Sequence, residues 1–274
     1  MRPVFNYIDR PSPIHRLTGA TKLVCLVLYS VSAMITFDTR MIACLVVLSF
    51  ALLRLSKIRL SDVSFLLKLT VFFMLFNNLV LFLFSPQYGV EIYGTKHVLF
   101  GSGRLTVTLE QLFYHLNQML KCFAMVPAVL LFVCTTNPSE FASSLNRIGV
   151  PYSISYAVAL ALRYIPDIQR EYHEISQAQQ ARGIEMSKKE NLIKRLKSAG
   201  AILIPLILSS MDRIEIISNA MELRGFGKNK KRSWYMARPF TRWDYLAIFV
   251  CLLLMLISLL LNRLNGGRFY NPFI

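Results

Sequence analysis

Charged residues are scarce in this sequence of 274 residues: they make up 17% of it, against 54% hydrophobic residues. A soluble domain usually carries about 25% charged residues. Acidic residues are rarest, with 15 Asp and Glu against 31 Lys and Arg, which gives a formal net charge of +16. Long uncharged apolar runs exclude disorder and argue against a cytosolic enzyme or a nucleic-acid-binding protein. The composition therefore indicates a membrane protein.

Sequence motifs for metal binding, disulfide formation and ATP hydrolysis are also missing. The five cysteines never approach a C-x-x-C spacing, and the four histidines show no paired spacing on one helix face. The nearest approach to a P-loop, Gly225-Phe226-Gly227-Lys228, lacks the first glycine at the required distance and continues with Asn229. We therefore expect no catalytic residue, no metal site and no cofactor in this chain.

Apolar segments long enough to approach a membrane crossing, which needs about 20 residues, occur five times. Their boundaries are 23–37, 41–53, 69–90, 111–136 and 245–262. The first two are short and closely spaced, which predicts a helical hairpin, and Pro127 predicts a bend in the fourth. Trp234 and Trp243 precede the fifth, as interfacial aromatic residues do. The predicted fold is all-α, a polytopic membrane protein with about five transmembrane helices and a cytoplasmic helical module.

The distribution of Lys and Arg predicts the orientation. Residues 1–22 and 54–68 carry four each, whereas residues 87–110 carry two. Because positive charge favours the cytoplasmic side, we expect the N-terminus inside and residues 87–110 outside. Arg263 and Arg268, which follow the fifth segment, do not fit this scheme. Glu110, near the start of the fourth segment, is expected to be a cap or an interfacial charge.

Most of the remaining positive charge lies in residues 136–242, which hold 17 Lys and Arg against nine Asp and Glu. Capping signals predict a helix from Pro138 to Gly149, a second from Pro151 to Arg182 and a third ending at Arg224. No apolar run here is long enough to span a bilayer. We therefore predict three domains: N-terminal membrane helices at 1–135, a cytoplasmic module at 136–242 against the membrane, and a C-terminal membrane helix at 243–274.

A pattern of nine residues occurs twice in this module. Residues 175–183, ISQAQQARG, align with residues 217–225, ISNAMELRG. In each copy the glycine predicts a left-handed position that ends a helix, and the preceding arginine meets the negative end of the helix dipole. An exposed guanidinium there suits a groove lined by carboxylates, because arginine can bind them through two hydrogen bonds. The alternative is two ordinary helix caps.

At these residues the sequence resembles the transmembrane T component of energy-coupling factor (ECF) transporters, a class of ABC-type importers. The resemblance covers nearly the whole chain. Its motifs are SPIHRL at 12–17, TNPSE at 136–140, ALRYIP at 161–166, ARG at 181–183 and LRGF at 223–226. The second triplet departs from the family pattern because it begins with Leu223 instead of alanine.

The resemblance implies a division of labour. Two ATP-binding cassette ATPase subunits would bind two coupling helices, and the membrane helices would hold a separate substrate-binding S component for vitamin or transition-metal uptake. It implies a multi-pass protein of the cell membrane that is not itself an enzyme. The residues that would bind the ATPases are Ala181, Arg182, Gly183, Leu223, Arg224 and Gly225.

Three other classes of function compete with this interpretation. A membrane-embedded enzyme would need clustered ionisable groups at membrane depth, and a self-sufficient carrier would show repeated, broken membrane helices. A third alternative is a basic module that binds nucleic acid or anionic membrane lipid, the latter at about 1 kcal/mol for each cation near an anionic surface. Six cations suit that role with or without ATPase binding: Lys188, Lys189, Lys228, Lys230, Lys231 and Arg232.

Overall fold

The computed structural model describes residues 12–58, 60–100, 106–183, 192–228, 233–234, 238–265 and 267–272. The described elements, in chain order, are α1 (Pro13–Arg16), α2 (Gly19–Ile35), α3 (Thr39–Leu55), α4 (Leu60–Phe84), α5 (Tyr88–Tyr93), β1 (Val98–Phe100), β2 (Val107–Thr108), α6 (Leu109–Thr135), α7 (Pro138–Arg147), α8 (Tyr152–Ala181), α9 (Leu192–Leu223) and α10 (Arg242–Leu264). The predicted all-α class is confirmed. Lys188, Lys189, Lys230, Lys231 and Arg232 lie outside the described residues.

The chain divides into two compact units. One, called the membrane unit below, contains residues 1–137 and 238–274, and the other, called the basic unit, contains residues 138–237. Three helices of the described part are long and apolar enough to cross a membrane, and they cover residues 64–84, 109–135 and 242–264. Helix α2 is apolar but has 17 residues, about 26 Å at 1.5 Å per residue. These helices make a polytopic membrane protein.

Helix α6 lies at the centre of the membrane unit, where it packs against α2, α3, α4 and α5, while α10 packs against α2. The core where α2, α3 and α6 meet is buried and apolar. The Tyr29 hydroxyl donates hydrogen bonds to the carbonyls of Leu45 at 2.9 Å and Ala124 at 3.2 Å. One side chain therefore ties the three helices together. The first two apolar segments correspond to α2 and α3, which are separated by residues 36–38.

One sequence expectation for the segment 69–110 was wrong. The third apolar segment is not one helix to residue 90, because α4 ends at Phe84 and α5 begins at Tyr88. Pro86 explains the break, since proline disfavours helix in the residue before it. Glu110, expected to be a cap or an interfacial charge, lies in the first turn of α6 with 0% exposure and accepts a hydrogen bond from the His97 N–H at 3.0 Å. The antiparallel pair β1–β2 was not anticipated.

The residues after α10 fold back onto the membrane unit. The Phe37 N–H donates to the Arg268 carbonyl at 2.8 Å, and the Phe269 ring lies 4.6 Å from the Phe37 ring. Asn271 Nδ2 donates to the Tyr93 carbonyl at 3.0 Å. This tail therefore holds the turn between α2 and α3 against the end of α5.

Candidate functional site

The two copies of the sequence repeat lie at the C-terminal ends of α8 and α9 in the basic unit. Gln179 of α8 donates from Nε2 to the Ala201 carbonyl near the start of α9, at 3.1 Å. At the other end of the pair, the Phe226 ring lies 4.8 Å from the ring of Tyr156, near the start of α8. The two helices are therefore antiparallel, and the repeated ends point in opposite directions.

This antiparallel arrangement sets the separation of the two ends. Arg224 lies level with about residue 157 of α8, some 25 residues before Arg182, so the ends are roughly 40 Å apart at 1.5 Å per residue. A single small ligand cannot touch both ends. The arrangement instead suits two separate contacts made by the same kind of partner surface.

The end of α9 is a complete Schellman cap. Gly225 has the left-handed φ of 65°, and its N–H donates to the Glu222 carbonyl at 2.8 Å. The Phe226 N–H donates to the Met221 carbonyl at 2.9 Å, which is the second hydrogen bond of this motif. These bonds satisfy two carbonyls that would otherwise lack partners at the helix end. The predicted role of Gly225 as a helix terminator is confirmed.

The end of α8 shows the same backbone geometry as far as it is described. Gly183 has a φ of 84°, and its N–H donates to the Gln180 carbonyl at 2.9 Å. Arg182 occupies the C-cap, where its N–H donates to the Ala178 carbonyl at 3.2 Å. Pro166 lies within α8 and Pro205 within α9.

The side chains of both triplets face outward. Ala181, Arg182 and Arg224 are exposed, and Leu223 is 91% exposed, an unusual state for a leucine beside a helix cap. One turn upstream, the equivalent residues Ala178 and Ala220 are also exposed. Each end therefore presents a small apolar surface next to a cation, at the negative end of a helix dipole.

An aromatic cluster supports the end of α9. The Phe226 ring packs on Tyr152 and Tyr156, and the Trp234 ring lies 5.3 Å from Tyr152. Trp234 Nε1 donates to Asn146 Oδ1 at 3.1 Å. The sequence-based assignment of Trp234 to an interfacial aromatic belt missed these contacts. The spacing of Tyr152 and Tyr156, which places both on one helix face, was the available signal.

A cleft of about 570 Å³ separates the first half of α8 from the second half of α9. Its walls include Leu160, Tyr164, Ile217 and Met221, and Phe226 closes one end. No group of three or more His, Cys, Asp or Glu side chains that could hold a metal ion occurs within the described residues. The chemistry of the site is therefore that of an exposed arginine beside an apolar patch.

These features define the class of the protein: a polytopic helical membrane protein that presents two equivalent helix ends outside its membrane helices. The family model described as CbiQ, cobalt transport protein, matches residues 10–235, which include both repeated ends. The chain belongs to this family.

Curated relatives match along almost their whole length. An energy-coupling factor transporter transmembrane protein EcfT from Exiguobacterium sibiricum is 26% identical over 96% of this chain and 99% of its own length. Proteins of the same name from Lactococcus lactis subsp. cremoris and Streptococcus equi subsp. equi are 28% and 30% identical, over 95% and 91% of this chain and 97% and 92% of their own lengths. These names agree with the resemblance drawn from the sequence motifs.

Proposed function

We propose that this chain is the energy-coupling transmembrane subunit of an ECF-type importer. In this proposal it links ATP hydrolysis by two cytoplasmic ATPase subunits to the movement of a separate S component. The observation that carries it is the pair of equivalent, exposed Arg-Gly helix ends on antiparallel helices. The relatives named as energy-coupling factor transmembrane proteins support the same function.

Arginine at a helix end suits binding to an acidic groove. The last carbonyls of α8 and α9 carry partial negative charge, which a cation offsets, while the guanidinium offers a second planar edge to a carboxylate. Arg182 and Arg224 would each bind carboxylates of one ATPase. Ala181 and Leu223 would pack against the apolar wall of the groove, and Gly183 and Gly225 would let the chain leave the helix sharply.

The remaining partners follow from surface chemistry. Ile204, Ile207, Met211 and Ile214 form an exposed apolar stripe along α9. Such a stripe in a unit rich in Lys and Arg suits the interface of an anionic membrane. We place residues 136–242 on the cytoplasmic side together with the N-terminus, because positive charge favours that side. The solute would be a vitamin or a transition metal, and the family description names cobalt.

Copurification from membranes in mild detergent tests this proposal. The wild-type chain should carry two ATPase chains and at least one small membrane protein. The double variant Arg182→Ala/Arg224→Ala should lose most of the ATPase while it still accumulates in the membrane, because both contacts lack their charged anchor. Arg170→Ala is the matched control: Arg170 is an exposed arginine of α8, paired with Asp167 at 3.1 Å, outside both triplets.

The proposal fails if the double variant carries the full ATPase complement. It also fails if the wild-type chain purifies as an isolated homo-oligomer, a result that favours a carrier or a membrane enzyme. Copurification at raised salt provides a further criterion. The contact with the ATPases should resist salt better than binding of nucleic acid by the basic unit, which would weaken steeply with ionic strength.

A further inference from the structure

The two helices that carry the repeated ends also carry an ion pair at equivalent positions. Gly183 and Gly225 are 42 residues apart in the sequence, and so are Glu171 and Arg213. Glu171 therefore corresponds to Arg213 when the two copies of the repeat are aligned. The repeat pattern itself begins at Ile175 and Ile217, so these two positions lie just upstream of it.

Glu171 and Arg213 bind each other across the α8–α9 interface. Arg213 Nη2 lies 2.6 Å from Glu171 Oε2, and the Ser209 hydroxyl donates to Glu171 Oε1. The side chains of Glu171 and Arg213 are 15% and 33% exposed. The Arg213 guanidinium also lies 6.0 Å from the centre of the Tyr164 ring on α8. Partial burial and a second donor distinguish this pair from ordinary surface ion pairs, which stabilise proteins little.

The ion pair of Glu171 and Arg213 lies equally far along the chain from the two Arg-Gly ends. Glu171 lies 11 residues before Arg182, and Arg213 lies 11 residues before Arg224. At 1.5 Å per residue, each arginine of the triplets is about 16 Å along its helix from the ion pair. Two equivalent positions that meet in an antiparallel pair lie on the local twofold axis relating the helices. Opposite charges attract there, whereas identical charges would repel.

We infer that Glu171, Arg213 and Ser209 form a cross-brace that fixes the angle between α8 and α9, so that the two Arg-Gly ends move as one body. Pro166 and Pro205 each remove a backbone hydrogen bond within these helices, so the helices bend more easily. A contact that fixes the angle between them therefore limits a motion that the prolines would allow. The inference rests on the proposed function, because it assigns the brace to transmission of ATPase movement. Glu171 and Arg213 are positioning residues that do not touch the ATPases.

A distance measurement between the two helices tests the brace. Spin labels would be placed at Gln177→Cys and Asn219→Cys, which are equivalent, exposed positions outside the triplets, in the full chain with its five native cysteines replaced by alanine. Pulsed dipolar spectroscopy on the membrane complex measures the distance between the two labels. The distribution of this distance should be narrow in each of two conditions, with Mg-ATP and with Mg-ATP plus vanadate. Glu171→Gln should widen both at least twofold, and the swap Glu171→Arg/Arg213→Glu should restore the narrow width.

Asp167→Asn is the matched control, since it removes a carboxylate from the exposed pair within α8, one turn before Glu171. It should leave the width unchanged. The brace is refuted if Glu171→Gln keeps the wild-type width, or if the folded swap variant remains as broad as Glu171→Gln. The swap decides the question even where a single variant accumulates poorly, because serine can donate to glutamate or accept from arginine.

ATPase copurification separates this inference from the proposed function. If Glu171→Gln retains both ATPases but shows the wild-type distance distribution, only the brace is wrong. If the wild-type chain carries no ATPase at all, the proposed function is wrong, whatever the distances show.

Discussion

The ends of α8 and α9 have the same sequence pattern and the same left-handed glycine, but they are supported differently. The end of α9 is held by Phe226, which follows the glycine and packs into the aromatic cluster of Tyr152, Tyr156 and Trp234. At the end of α8, the described support is the hydrogen bond from Gln179 to the Ala201 carbonyl. The alanine and the arginine that the two ends share are exposed, whereas the aromatic residues that hold the end of α9 are half-buried.

We propose from this difference which residues serve the fold and which serve a partner. A cation at the cap can serve the helix dipole alone, but ending a helix does not require an exposed alanine one turn upstream in both copies. Residues needed only for packing would be buried, whereas Arg182 and Arg224 are both exposed. Each variant below changes either a residue that we propose to bind a partner or a residue that holds a helix end, and leaves the other group intact.

The largest expected effect belongs to the single arginine variants. Arg224→Ala should weaken binding of the ATPase subunits by roughly 30-fold or more, the range for truncating one partner of a desolvated charge pair. Arg182→Ala should weaken it less, because the end of α9 is held by its aromatic cluster and loses less freedom on binding. Titration of purified ATPase onto the immobilised chain measures both, with Arg170→Ala as the control. Equal affinities for all three variants would contradict a role for the triplets.

Phe226→Ala should remove the support that distinguishes α9 from α8. Phe226 is half-buried, so we expect a loss of about 2 kcal/mol in local stability, below the range for a fully buried phenylalanine. Hydrogen exchange at residues 221–228 should accelerate, while exchange at residues 176–183 should stay as in the wild type.

The matched control for Phe226→Ala is Phe240→Ala, which removes a phenylalanine outside the basic unit. Exchange at residues 221–228 should not respond to it. If Phe226→Ala leaves that exchange unchanged, the cluster does not hold the end of α9. The affinity for ATPase should also fall in Phe226→Ala, because the end of α9 then loses more freedom on binding.

Local sequence rules predicted the parts of this site that depend on neighbouring residues. The cap at Gly149 is an example: its φ is 107°, and the Val150 N–H donates to the Leu145 carbonyl at 3.1 Å. The same rules predicted the helix ends at Gly183 and Gly225. In each case one residue type with a special backbone preference is enough to predict the local structure.

Contacts between distant residues could not be predicted in this way. Phe226 meets Tyr152 and Tyr156 only because α8 and α9 pair in antiparallel fashion, and nothing within either helix requires that pairing. The ion pair of Glu171 and Arg213 is an intermediate case. The spacing of the repeat marks their positions as equivalent, but only the packing of the two helices shows that they bind each other.

Gly225→Ala and Gly183→Ala test the feature that both ends share. Alanine in a left-handed conformation costs about 1–2 kcal/mol, so each variant should loosen its own helix end by that amount. An added Cβ at Gly225 would lie 3.3 Å from Lys228 Cδ, which can move, and at Gly183 it would meet no atom within 4 Å among the described residues. The two losses should therefore be similar, unlike those of the arginine variants.

Gly200→Ala is the control for these glycine variants. Gly200 lies within α9 with no atom within 4 Å of its added Cβ among the described residues and with no left-handed φ. This variant should raise stability by about 0.5–1 kcal/mol, because alanine favours helix over glycine. Thermal melting of the purified chain measures all three. A destabilised Gly200→Ala, or a neutral Gly225→Ala, would contradict the cap geometry.

Leu223→Ala should have the smallest effect and separates binding from folding most clearly. Leu223 is 91% exposed, so its truncation should change the free energy of unfolding by less than about 0.5 kcal/mol. If the side chain packs in an ATPase groove, ATPase affinity should fall by about 1 kcal/mol, roughly fivefold, through lost apolar burial. Ala181→Leu is the reciprocal variant, and the ATPase titration should show whether the groove at the end of α8 accepts the larger side chain. If Leu223→Ala lowers the stability of the chain and leaves the ATPase affinity unchanged, Leu223 stabilises the fold and does not contact the ATPase.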